Sequence, residues 1–408
     1  MNERVVPADW KLTNISPIFK KGEKRRAENY RPINLASVPS KVMESILKDS
    51  ILEHLKANNY LLNSQHGFVP GRSVTTNLIE YLNKITAALD DGVPFDVVMV
   101  DFRRAFDRVP FDGMLVKAEA HGIDGDLLGW IRDWTKDRRQ RVVLNGIESD
   151  WADVTSSVVQ GSVLGPILFL IYINCIDSTL RAHDNEILVS KFADDTKLGR
   201  KVGCREDNVS LQSALDSLDK WCSDWGMQLH PDKCVVIHFG RNNTQHDYFI
   251  GSAKLSAVDG ARDLGVFITN DCDPSEHIEK ISKKAHVVLT QLRRATTLRD
   301  SRTFPKLYQA YVRPLLETAA PVWNPTKKES IYTLEKVQKR ALRMISDLGS
   351  LHYDERLEKL GMQSLEDRRR RGDLIQCFKT MNEHGDIDPN NWFEFVQDRH
   401  DVTTRPTI

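Results

Sequence analysis

No two of the six cysteines (Cys175, Cys204, Cys222, Cys234, Cys272 and Cys377) stand in a Cys-x-x-Cys pair. That scatter leaves a zinc site unsupported and makes reduced intracellular thiols the default. No stretch reads as a signal peptide, and the longest apolar run, 163–173, is too short to span a bilayer. No membrane partner is expected. Heptads, tandem repeats and low-complexity tracts are missing as well, which argues against coiled-coil, solenoid and compositionally disordered architectures. Net charge is lacking too, because 57 basic and 57 acidic residues cancel. A chain of 408 residues can hold two or three subdomains, each with its own core.

The zero total hides local excess. Residues 277–343 carry fifteen Lys and Arg against five Asp and Glu, and 11–31 carry seven against two. Stretches of one sign suit a phosphate backbone. The most informative segment is Phe192-Ala193-Asp194-Asp195, preceded by Ile187-Leu188-Val189-Ser190-Lys191 and followed by Thr196-Lys197-Leu198. It reads as strand, tight turn, strand. Two adjacent carboxylates at a turn tip repel each other unless a cation sits between them. Mg²⁺, which takes hard oxygen ligands, suits such a tip. A solvated turn is the plainer alternative.

Upstream, 97–100 is a short apolar, β-rich run of the kind buried on both faces, and it ends at Asp101. A carboxylate at the end of a buried strand sits at the lip of a sheet. If that strand lies beside the 194–195 hairpin, three carboxylates converge, the minimum for a two-metal site. Alternatively, Asp101 caps the helical stretch that follows. Asp107, inside that stretch, reads as a cap or surface residue.

Helical spacing predicts a helix over 41–55 with Val42, Ile46, Ile51 and Leu55 on one face. A second, over 73–89, opens on cap-forming Ser and Thr and continues with Leu78, Leu82, Ile85 and Leu89. A helix over 127–134 precedes a strand over 140–145 that turns at Asn145-Gly146. Ile278, Ile281, Ala285, Val288 and Leu292 form an apolar stripe, and Lys280, Lys283, Lys284, Arg293 and Arg294 crowd the same segment. A basic helix of this kind is either a solvated face or a duplex contact, and the one-signed excess favours the duplex. A further helix spans 331–345 with Leu334, Val337, Ala341 and Ile345. Helical patterns continue past 347, through Arg368-Arg369-Arg370-Arg371, into a polar tail.

Three motifs in order, Asp101-Phe102-x-x-Ala105-Phe106-Asp107, Gln160-Gly161-Ser162-Val163-Leu164-Gly165-Pro166 and Phe192-Ala193-Asp194-Asp195, resemble the reverse transcriptase of non-LTR retrotransposons, jockey-like or chicken-repeat-like. Other blocks agree in order: Ile18-Phe19-Lys20-Lys21-Gly22, Asn29-Tyr30-Arg31-Pro32-Ile33, Gln65-His66-Gly67-Phe68 with Gly71-Arg72-Ser73, Trp221-Cys222, Trp225-Gly226, Pro231-Asp232-Lys233 and Asp263-Leu264-Gly265-Val266. The likeness runs from about residue 6 to about 381. It implies an α+β right-hand polymerase with α/β fingers, an antiparallel-sheet palm and a helical thumb. Residues 1–95 would be fingers truncated at the N-terminus, 96–275 palm, 276–346 thumb, and 347–408 a C-terminal helical region with a polar tail. The implied activity is RNA-directed DNA synthesis by two-metal nucleotidyl transfer, with two Mg²⁺ ions for which Mn²⁺ can substitute. The implied partners are an RNA template, a DNA primer, deoxynucleoside triphosphates and an element-encoded endonuclease, upstream or in trans. The implied place of action is intracellular, in the nucleus.

The resemblance also implies residue roles. Asp101 and Asp194 carry most of the metal coordination, joined by Asp195 and the Phe102 carbonyl. Phe106 sits under the sugar and excludes ribonucleotides; by pattern alone it is equally a core Phe. Gln160 and Gly161 approach nucleotide and template. The family pattern Gly-Val-Pro-Gln is replaced by Ser157-Val158-Val159-Gln160, and the missing proline loosens the turn. Arg31, with Lys20 and Lys21, takes the triphosphate, although the lysines also fit a surface loop. Lys233 protonates the leaving pyrophosphate or forms a structural salt bridge. Arg72 faces the template, and Leu264 and Gly265 resemble the primer grip. Lys283, Lys284 and Arg293 are the duplex contacts of the thumb. The reading of another class is a catalytically silent nucleic-acid-binding remnant; an intron-type reverse transcriptase with maturase activity and a viral RNA-copying polymerase are further alternatives. Val312-Arg313-Pro314-Leu315-Leu316-Glu317 with Trp323-Asn324-Pro325 resembles the retrotransposon thumb rather than the intron one, and Ala193 stands where viral enzymes more often carry Gly.

Overall fold

Two runs of extended residues around a basic, glycine-containing loop fold into a hairpin. Strand β1 (Leu12–Phe19) pairs antiparallel with β2 (Tyr30–Leu35), from Asn14 opposite Leu35 to Phe19 opposite Tyr30. The computed structural model describes residues 4–182, 184–382 and 387–393, so most of the polar tail lies outside the described residues. Contacts divide the chain into a first unit, Met1–Val69 with Tyr81–Asp273, and a second, Pro70–Glu80 with Pro274–Ile408.

Helix α1 (Val38–Ala57) follows, with Pro39 in its first turn, where a missing N–H costs nothing. Its buried face is Ser40, Glu44, Leu47, Ile51 and Leu55, while Val42 and Ile46 are exposed. The expected face was therefore half right: nine residues separate Val42 from Ile51, which is about half a turn out of phase. Glu44, although charged, lies on the buried face. Helix α2 (Val74–Asp90) is capped as its sequence suggests, with Thr76 N–H donating to Ser73 Oγ at 3.2 Å and Ser73 N–H to Thr76 Oγ1 at 2.8 Å.

Strand β3 (Phe95–Val100) is buried along nearly all its length. Strand β4 (Arg139–Leu144) joins β1 in parallel and turns through Asn145 (φ 51°) and Gly146 (φ 81°) into Ile147–Glu148. Two positive φ values are what a type I′ hairpin needs, and Asn-Gly supplies them cheaply. The apolar run becomes helix α3 (Gly165–Ile173), in which every residue except Pro166 is buried, so it is a core helix. Strands β5 (Leu188–Phe192) and β6 (Asp195–Lys201) form a hairpin, helix α4 (Arg205–Asp224) covers the sheet, and β7 (Val235–Phe239) returns to it.

The second sheet runs in the order Ser256–Ala257, β7, β3, β6, β5. Strand β3 is central and antiparallel to both neighbours. That position explains its unbroken apolar run. One buried charge interrupts it: Asp96 accepts from His238 Nδ1 (2.7 Å), Asn243 Nδ2 (2.7 Å) and the Tyr248 hydroxyl (2.7 Å). A buried carboxylate is tolerable when its lone pairs are filled in this way. A last hairpin, β8 (Gly260–Asp263) with β9 (Val266–Thr269), closes the first unit.

The second unit is helical. Helix α5 (Ser275–Ala295) buries His277, Ile278, Ser282, Ala285 and Leu289, close to the expected stripe. Helix α6 (Lys328–Leu342) buries Leu334, Val337 and Ala341 as expected, and Glu335 besides. The Glu335 carboxylate accepts Leu365 N–H (3.1 and 3.3 Å) at the start of helix α7 (Leu365–Met381). The four-arginine run on α7 divides: Arg368 forks onto Glu317, Arg369 is buried with Nε on Asn324 Oδ1 (2.9 Å), and Arg370 and Arg371 are exposed. Among the described residues no helix is long and apolar enough to cross a membrane.

Candidate active site

The register of β3 brings the three carboxylates to one edge. Val100 pairs with Thr196, so the next residue, Asp101, comes alongside Asp195. On the other side of that hairpin Phe192 pairs with Asp195, leaving Ala193-Asp194 as a two-residue turn. Ala193 takes φ 57°, a conformation that costs a Cβ-bearing residue about 1 kcal/mol. Beside Phe102, Asp101 C=O accepts from His230 N–H (2.9 Å) and Arg103 N–H donates to Gln228 C=O (2.7 Å). These bonds fix the stretch that carries the Phe102 carbonyl.

The charges at this edge are crowded. Partial desolvation pushes the Asp195 carboxyl up to about 6; the Asp194, Asp263 and Asp101 carboxylates add to the rise, and Lys197 opposes it. Asp194 is raised by burial first and by Asp101, while Lys20 and Arg31 pull it back down. Two cations read as triphosphate ligands therefore act on Asp194. Lys233 reaches the same place, with Nζ 3.5 Å from Asp101 Oδ1. Among the described residues no three His, Cys, Asp or Glu side chains close into a ready ligand set.

Gln160 and Gly161 lie against β2. Asn34 N–H donates to Gln160 C=O at 2.9 Å, and a Cβ on Gly161, which has φ 103°, would stand 2.4 Å from Asn34 C=O. Glycine is required there on both counts. Gln160 Nε2 donates to Asp107 Oδ1 at 2.7 Å, and burial raises the Asp107 carboxyl. Asp107 is thus a partner of the motif rather than a surface cap. The segment lacking proline is held all the same, by Val158 N–H on Phe106 C=O (2.7 Å) and Ser162 Oγ on Val159 C=O (2.8 Å). Phe106 stacks on Phe169 with centroids 4.3 Å apart and meets Phe68 edge-on.

Leu264 (φ 45°) and Gly265 (φ 99°) form the turn of the β8–β9 hairpin. Asp263, just before them, accepts from Lys197 Nζ at 2.5 Å, and both side chains are buried. Lys197 also lies over the Tyr81 ring at 4.4 Å. The turn is therefore tied to β6 two residues beyond Asp195. Arg72, Lys283, Lys284 and Arg293 belong to the second unit. Arg72 is half-buried; the other three are exposed, and Lys283 pairs with Glu279 on its own helix at 3.0 Å.

Two residues that bond to these motifs were not singled out in the sequence. Glu44 Oε2 accepts Val163 N–H (2.8 Å) and Leu164 N–H (3.2 Å), and Oε1 accepts Trp134 Nε1–H (3.1 Å). It caps the segment between Gln160-Gly161 and α3. The only hint in the sequence was a lone acid between apolar residues of a helix. Gln65, quoted above only as part of a resemblance, bonds to Ala193.

Residues 18–284 match the family model described as reverse transcriptase (RNA-dependent DNA polymerase). The chain is similar to the probable RNA-directed DNA polymerase from transposon BS of Drosophila melanogaster, 26% identical over 84% of this chain and 39% of that protein. It is also similar to the RNA-directed DNA polymerase from mobile element jockey of the same species, 22% identical over 83% of this chain and 38% of that protein. The chain thus spans about two fifths of the length of these curated relatives. Among solved structures, apo telomerase from Candida tropicalis is similar with a TM-score of 0.49 at 12% identity, over 90% of this chain and 64% of that one.

Proposed function

Because this chain belongs to the reverse transcriptase family, we propose that it is an RNA-directed DNA polymerase of the non-LTR retrotransposon type, extending a DNA primer on an RNA template. The observation that carries this reading is the pairing of Val100 with Thr196, which sets Asp101 beside Asp194-Asp195. Residues 96–275 act as palm, 1–95 as fingers and 276–346 as thumb.

Asp101, Asp194, Asp195 and the Phe102 carbonyl would hold the divalent ions. The fit rests on the donor chemistry: hard oxygens only, with two carboxyls raised by burial and by neighbouring carboxylates, a repulsion that a divalent cation relieves. Mg²⁺ there, or Mn²⁺ in its place, supplies charge neutralisation at the reacting phosphate. The protein's own groups do the rest. Lys20 and Arg31 bind the triphosphate of the incoming deoxynucleotide. Phe106, backed by Phe169, forms the floor under the sugar. Gln160, its amide fixed by Asp107, and Gly161 set the nucleotide against the template. Lys233, kept near the phosphates by its pairing with Asp101, gives a proton to the leaving pyrophosphate. Leu264 and Gly265 bear on the primer end, Arg72 on the template, and Lys283, Lys284 and Arg293 on the duplex backbone. An endonuclease supplied by the element would open the target, and the nucleus is the place of action.

Primer extension on an RNA template with Mg²⁺ and deoxynucleotides tests the reading, run beside an Asp194→Asn, Asp195→Asn double variant. The expected outcome is extension by the parent and a loss of at least about 10³-fold in the variant. Salt-dependent duplex binding without extension by either protein would replace this reading with that of a silent binding remnant.

A further inference from the structure

The turn that carries Asp194 is not held by its own hairpin alone. Its first residue, Ala193, stands at positive φ without being glycine. Both of its backbone polar groups are taken by one buried side chain. Ala193 N–H donates to Gln65 Oε1 at 2.9 Å, and Gln65 Nε2 donates to Ala193 C=O at 3.3 Å. Only one orientation of the amide satisfies both bonds, so oxygen and nitrogen are assigned by the contacts themselves. Gly67 N–H shares the same oxygen at 2.8 Å, which fixes the side chain from behind.

The segment bearing Gln65 is itself fastened to β5. His66 N–H donates to Lys191 C=O (2.9 Å) and Lys191 N–H to Ser64 C=O (2.7 Å), a parallel bridge on the outer edge of that strand. The approach is close: a Cβ on Gly67 would lie 2.3 Å from the Ala193 nitrogen. Gly67 therefore permits the contact, and Gln65 makes it.

We propose that Gln65 is a positioning residue for the polymerase reaction. It fixes the two peptide planes flanking Ala193 and so the direction in which Asp194 presents its carboxylate. This inference rests on the polymerase reading above for its consequence on rate, but its geometric content stands apart from activity. Gln65→Met keeps the volume and removes both bonds. Gln65→Glu keeps the acceptor and sets a carboxylate oxygen against Ala193 C=O.

Hydrogen exchange over 188–198 is the first readout, because it needs no turnover. In Gln65→Met the Ala193 amide should exchange at least roughly tenfold faster, with the rest of β5 and β6 unchanged. Single-turnover extension is the second. Its rate should fall by roughly 10- to 100-fold, the scale of a small misplacement of a reacting group, with the half-saturating Mg²⁺ concentration raised and duplex affinity within about twofold. Unchanged exchange at Ala193 in both variants would overturn the clamp. Faster exchange with unchanged rate and Mg²⁺ dependence would overturn its positioning role. Rate loss that merely follows the unfolded fraction in thermal melts would do the same. A parent that binds duplex without extending it, while Gln65→Met still frees the Ala193 amide, would defeat the polymerase reading and leave the clamp standing.

Discussion

The ion pairs around the carboxylate hairpin and those along α5 use the same residue types to opposite ends. Lys191 with Asp177 and Lys197 with Asp263 are all but sealed from solvent, at 0% and 5% exposure for the first pair and 3% and 6% for the second. Lys283 with Glu279 on α5 is open, at 77% and 63%. Burial lowers the pKa of both hidden lysines, and their aspartates oppose that shift. A buried pair contributes little net stability but is costly to halve. An exposed i, i+4 pair is worth a few tenths of a kcal/mol and leaves its lysine free to trade partners. The first kind fixes geometry two residues before the turn and three after it; the second holds positive charge available at a surface.

Removing one hidden partner breaks the contrast most sharply. Lys197→Met strands Asp263, and urea denaturation should show a loss of about 3–5 kcal/mol. Lys197→Met combined with Asp263→Asn should recover much of that loss; a double variant no better than the single one would show that packing, not charge, is at stake. Glu44→Ala should come next, at about 3 kcal/mol, because Trp134 Nε1–H and two backbone N–H groups lose their acceptor. A melt indistinguishable from the parent would remove Glu44 from the account.

A third effect depends on pH. Asp195 is held near 6, above its ordinary value, so the fold favours its protonated form. The stability tied to that proton is fully present at pH values below the unfolded pKa and is lost as pH rises through about 6. Mg²⁺ should therefore raise Tm more at pH 8 than at pH 5. An equal rise at both would separate the metal from this carboxylate. The smallest effect on stability belongs to α5. Lys283→Ala should change unfolding free energy by under about 0.5 kcal/mol, yet reduce the salt slope of duplex binding by about one. A slope unaltered by the change would leave Lys283 as a solvated residue of an ordinary helix.

Much of this was legible because it lay in local pattern. The strand ending at Asp101, the hairpin at Ala193-Asp194, the Asn145-Gly146 turn and the stripes of α5 and α6 all follow from residue order within a short window. What escaped depends on groups far apart in the chain. Glu44 meets Val163, Gln65 meets Ala193 and Lys197 meets Asp263, and none of these partners lies in the same element. A lone Glu or Lys beside apolar residues, like the neutral amide of Gln65, gives no sign within a short window of a partner far along the chain. On α1 the apolar Val42 and Ile46 were placed on the face of Ile51 and Leu55, whereas Glu44 lies on that buried face and they do not.

The place of β3 at the centre of its sheet has a consequence in time as well as in space. Its two neighbours, β6 and β7, begin at Asp195 and Val235, so neither exists when β3 leaves the ribosome. At about 5–20 residues per second the wait for β6 alone is roughly 5–20 s. Throughout it, an apolar strand with both edges open has no partner of its own chain, a condition that invites pairing with other chains. The carboxylate edge can first form only after β6 is made, and nascent chains stalled before that point should need a chaperone to stay soluble.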